Sequence, residues 1–124
     1  MPIDFSKARN ETDRMLRWSI LEALYLSRGA APMQGLSGTK IVRQVNQSVV
    51  LDQRIENDQH AMDLLADLER KSMVTVTRLR RMHGESVRPD NVFVRIEDKG
   101  CLLYRGQADP DPDVWDPRVS NEEL

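Results

Sequence analysis

The chain is poor in the residues that small proteins use as staples or catalysts. Its single cysteine, Cys101, excludes an internal disulfide and a thiolate zinc cluster and fits a reducing compartment. The two histidines, His60 and His83, lie on different elements without a third ligand at metal spacing. There is no phosphate-cradling glycine loop, no Cys-His pair with an orienting group and no serine elbow. Asp63 and Asp67 stand one helical turn apart, but a surface carboxylate pair is usually a salt-bridging face. The chain therefore reads as a non-enzyme without cofactor or metal. No apolar run approaches the roughly 20 residues of a membrane span. The opening Met1-Pro2-Ile3-Asp4 lacks the basic-then-apolar order of a signal peptide, so the expectation is a cytoplasmic protein with no membrane contact.

Neither charge sign dominates: the net charge is −2 over 124 residues. Its distribution is uneven, with residues 71–95 at +4 and residues 96–124 at −5. A basic segment on an otherwise acidic body attracts phosphate through its local field, whatever the total. A chain of this length is one domain by size and holds a core unaided.

The organising stretch is 57–96. Asn57 and Asp58 suit a helix cap and first turn, and Ala61, Leu64, Leu65 and Leu68 repeat at helical spacing, predicting a helix over 58–71. Its opposite face would show Gln59, His60, Asp63, Asp67 and Arg70. Residues 73–77 and 92–96 alternate like half-buried strands around a glycine- and proline-broken tip. Arg78, Arg80, Arg81 and Arg88 crowd that tip. Scattered arginines on a loop are more often plain solubility, but four within eleven positions at one end of a ribbon favour phosphate or minor-groove contact.

Before this stretch, residues 1–10 read as an N-terminal arm. A first helix from Glu11 to about Ser27 buries Leu16, Ile20, Leu21 and Leu24. Trp18 and Tyr25 share a stripe on it, which either packs on the C-terminal helix or forms a seam between two copies; burial within the domain is the commoner meaning. Residues 29–35 read as a loop. Ser37 is a cap for a short helix to about Val45, with Ile41, Val42 and Val45 inward. Val49 to Leu51 fits a short strand or a linker equally. After Ile96 a last helix begins near Lys99 and stops at Gly106. The tail from residue 107, rich in Asp and Pro, is expected to be extended, with Trp115 either tucked back or anchoring a partner. Its aspartates lack the loop glycine and terminal glutamate of a calcium-binding hand.

The order Asp67-Leu68-Glu69-Arg70-Lys71-Ser72-Met73-Val74-Thr75-Val76, then Val94-Arg95-Ile96-Glu97-Asp98-Lys99-Gly100, resembles winged-helix transcription regulators of the MarR, PadR and ArsR type. More narrowly, Ile20-Leu21, the segment from Asp63 to Leu68, and Gly106-Gln107-Ala108 before a proline-containing tail are similar to the small winged-helix proteins of Mu-like prophages. The likeness covers about 14–118. It implies a mainly α fold with a small antiparallel hairpin, a winged helix-turn-helix, over 11–106. By analogy it implies a dimeric, phage-derived regulator or DNA-handling accessory that binds duplex DNA. Arg54, Gln59 and His60 would then meet bases or phosphates, and Arg78, Arg80, Arg81 and Arg88 the backbone. Two departures stand out: Ser72 replaces the family's glycine after the recognition helix, and the wing is longer and more basic. The alternative is a winged helix turned to protein binding, with Asp63 and Asp67 repelling DNA and the acidic tail meeting a basic partner.

Overall fold

The computed structural model describes residues 5–29 (backbone alone for 5–10), 35–50, 53–79 and 89–115. Four α-helices and a three-stranded antiparallel sheet are present among them: α1 (Phe5–Ser27), β1 (Leu36–Ser37), α2 (Gly38–Ser48), α3 (Asp58–Arg70), β2 (Val74–Arg78), β3 (Val92–Ile96) and α4 (Asp98–Tyr104). A 3-10 turn, Pro89–Asn91, leads into β3. The strand order is β1-β3-β2. Sequence pattern found β2 and β3 but not β1, which lies just past the expected loop of residues 29–35 and pairs Leu36 with Val94 and Ser37 with Phe93. Two residues carry no readable period. Residues 49–50 form no strand, and α1 starts six residues earlier than expected, inside the supposed arm.

Each element buries one face. In β2, Val74 and Val76 point inward while Thr75 and Thr77 face out, and Val92, Val94 and Ile96 do the same in β3. Leu16, Ile20, Leu21 and Leu24 of α1 close over this sheet with Ile41, Val45, Leu64, Leu65 and Leu68. Trp18 is only 2 % exposed. It stacks on Tyr104 of α4 with centroids 4.9 Å apart, and Tyr104 meets Tyr25 at 4.4 Å. The aromatic stripe therefore joins α1 to α4 within one chain, and Trp18 is not available as a seam residue; such ring pairs add about 0.5–1.5 kcal/mol beyond their burial.

The helix ends are built by local rules. Ser37 Oγ accepts from Lys40 N–H at 3.2 Å, and Asn57 Oδ1 accepts from His60 N–H at 2.9 Å. At the far end of α3, Ser72 adopts φ 62°. Its N–H reaches the Glu69 carbonyl at 3.0 Å, and Met73 N–H reaches that of Leu68 at 3.1 Å. This is the left-handed stop a glycine usually supplies, made here by a residue with a Cβ. Gly106, at φ 74°, ends α4 with the same pair of bonds. Since a left-handed conformation costs an L-residue about 1 kcal/mol or somewhat more, Ser72→Gly is expected to stabilise the protein by about 1 kcal/mol, read from its urea midpoint.

Residues 107–115 are not a free extended tail. Asp111 to Val114 is a β-turn with Pro112 second, closed by Val114 N–H to the Asp111 carbonyl at 3.1 Å and by Asp113 N–H to Asp111 Oδ1 at 2.8 Å. Proline at the second place and aspartate at the first favour this turn. Val114 is buried, and Trp115 N–H donates to the Arg14 carbonyl at 3.1 Å. Trp115 itself is 38 % exposed.

Candidate nucleic-acid interface

The candidate surface is the outward flank of α3 and the end of β2 that meets it through Arg78. Burial of His60, Ala61, Leu64, Leu65 and Leu68 turns Asp58, Gln59, Asp63 and Arg70 outward. Gln59 Nε2 donates to Asp63 Oδ1 at 2.8 Å, a one-turn bond along the exposed surface. Arg54, in the approach to α3, is exposed. That approach is pinned to α2 by Asn46, whose Oδ1 accepts from Ile55 N–H at 2.9 Å.

His60 does not belong to this flank. It is 4 % exposed, and its Nε2 lies 2.7 Å from Asp13 Oδ1 on α1. Its Nδ1 accepts from Glu56 N–H at 3.1 Å. An accepting Nδ1 puts the ring proton on Nε2, aimed at the carboxylate. The imidazole ties α1 to the start of α3 and cannot reach a base. The period already said so, because His60 lies one turn before Leu64; its polarity suggested the opposite.

Asp67 also leaves the solvated flank. Arg17 of α1 reaches its Oδ2 with both Nε (3.3 Å) and Nη2 (2.8 Å), and Arg70 pairs with the other oxygen. Asp67 is thus compensated within the fold, which leaves Asp58, Asp63 and Glu69 as the acids of the outward side. Arg78, the last residue of β2 and paired with Val92 at the tip end of the ladder, grips Glu69 with two bonds of 3.1 and 3.0 Å. That fork holds the Glu69 carboxyl below its ordinary value and raises the guanidinium's, against the opposing effect of burial. It also fixes the geometry: the first hairpin arginine lies against α3, on the side where Arg78 was expected, but its charge is largely answered by Glu69. Arg80, Arg81 and Arg88 lie outside the described residues.

The chain matches no protein-family model, no curated protein and no solved structure. What can be said of its chemistry rests on its own residues. Sequence reasoning passed over Lys40 and Arg43, both on the exposed face of α2, although the inward spacing of Ile41 and Val45 already assigns them there. It also passed over Lys71, which binds Asp111 at 3.1 Å and Asp113 at 2.8 Å. Among the described residues no group of three or more His, Cys, Asp or Glu side chains could hold a metal ion, and no helix is long and apolar enough to cross a membrane.

Proposed function

We propose that this chain is a winged-helix protein that binds duplex DNA, as a regulator or DNA-handling accessory. The observation that carries the reading is topological. The sheet order β1-β3-β2 places β1, from between α1 and α2, on the free edge of a hairpin that directly follows α3. In a winged helix that helix enters the major groove and the hairpin flanks it. The contact between Arg78 and Glu69 supports this, since it sets the hairpin beside the outward flank of α3. Arg54, Gln59, Arg78, Arg80, Arg81 and Arg88 would carry the contact, with Lys40 and Arg43 added and His60 removed. A homodimer through the terminal helices would present two such faces.

A second reading has its own support. Asp58, Asp63 and Glu69 on the outward side of α3 give a DNA reader little to gain from that helix, so a winged helix that binds a basic protein surface would use the same face. Titration of a nonspecific duplex separates the two. DNA binding predicts that log affinity falls with log salt by about 0.9 for each phosphate neutralised, and that Arg80→Ala/Arg81→Ala lowers the slope by about two. Asp63→Asn should tighten binding by removing a repelling charge. A flat salt response, or a double variant that binds like the parent, puts the protein-binding reading ahead.

A further inference from the structure

The turn at 111–114 closes a cleft of about 320 Å³ lined by Arg17, Asp67, Arg70, Lys71 and Asp113. Lys71 holds both Asp111 oxygens at 3.1 Å and Asp113 at 2.8 Å, while Arg17 Nη1 donates to the Asp113 carbonyl at 3.0 Å. Lys71, with help from Arg17 and Arg14, holds the Asp113 carboxyl below its ordinary range. Arg14 Nε is buried with no hydrogen-bond partner among the described residues. Four cations therefore converge here: Arg14, Arg17, Arg70 and Lys71. Within the cleft they are answered by Asp67 and by the strap's Asp111 and Asp113, so that the docked strap supplies most of the countercharge. The strap is held by one buried apolar side chain, Val114, by two hydrogen bonds to α1 through Asp113 and Trp115, and by the part-exposed ion pairs of Lys71. Segments with so few buried contacts open at low cost.

We propose that the acidic strap, residues 109–115, competes with a phosphate backbone for the cationic cleft between α1 and α3, so that its docking restrains binding and its release completes the binding surface. That the backbone belongs to duplex DNA rests on the function proposed above. The cleft adjoins the outward flank of α3 through Arg70, whose side chain is 71 % exposed. A polyanion lying along that flank therefore meets the strap's carboxylates while the strap is docked, and cations once it is released.

The test uses the full chain and two probes, long-chain inorganic polyphosphate and a nonspecific duplex. Asp111→Asn/Asp113→Asn frees Lys71 while Val114 is kept. Glu22→Gln/Asp98→Asn makes the same charge change elsewhere and serves as the reference, with circular dichroism checking that all variants fold. At about 50 mM salt the strap variant should bind both probes about tenfold more tightly than the reference, and the advantage should shrink as salt screens the cleft. Adding Lys71→Ala should abolish it. A strap variant no tighter than the reference on polyphosphate, or an advantage that survives Lys71→Ala, overturns the inference. A gain on polyphosphate with no duplex binding by any form sinks the DNA reading and leaves the cleft assignment standing.

Discussion

His60→Ala should cost about 3 kcal/mol of stability and leave nonspecific DNA affinity unchanged under conditions where the variant is folded. Three losses combine. The Asp13 carboxylate, with a side chain 16 % exposed, is left without its 2.7 Å partner. Glu56 N–H loses its acceptor, and the ring leaves a hole next to Leu64 in a face that is otherwise closed. An unmet part-buried group costs up to about 1–3 kcal/mol, and cavity formation adds to it. The interaction is isolated by a double-mutant cycle with Asp13→Asn, where a coupling of about 1–2 kcal/mol is expected. Loss of DNA binding at unchanged stability would reverse the assignment and return the imidazole to the surface.

The same residue shows what a sequence can and cannot convey. Elements set by local chemistry were legible: the caps at Ser37 and Asn57, the apolar stripe of α3 and the alternation of β3 were placed within a residue or two. Side chains whose role depends on distant partners were not. Arg17 and Asp113 are 96 positions apart, and Tyr104 meets Trp18 only because α4 returns to α1. Val114 is one apolar residue among aspartates and prolines, a pattern that reads as solvated although Val114 joins the buried core. In the candidate site, residue type misled twice. His60 and Asp67 were assigned to solvent because they are polar, whereas each is satisfied by a group on α1. Polar residues at inward-facing positions are often such cross-links, and spacing was the better guide to them.

The hairpin's orientation depends on α4, and there Gly100→Ala is expected to destabilise by about 2–3 kcal/mol, lowering the melting temperature by roughly 10 °C. Intrinsic propensity argues for the reverse sign, since alanine in a helix interior is favoured over glycine by about 1 kcal/mol. Packing decides otherwise. A Cβ on Gly100 would lie 2.5 Å from the Met73 carbonyl oxygen, 2.9 Å from Ile96 Cγ1 and 3.3 Å from Leu21 Cδ2. That carbonyl is backbone and already accepts from Glu97 N–H at 2.9 Å, so it cannot move aside without breaking the bond that starts α4. The helix must instead lift from the sheet, weakening the Trp18–Tyr104 stack as it goes. Gly106→Ala separates crowding from conformation, because its φ of 74° is strained for alanine but nothing lies within 4 Å of the added carbon. It should cost only about 1 kcal/mol. Equal losses at the two sites would mean that α4 is not pressed against the Met73 backbone just before β2, and that the hairpin is held beside α3 by Arg78 and Glu69 without support from behind.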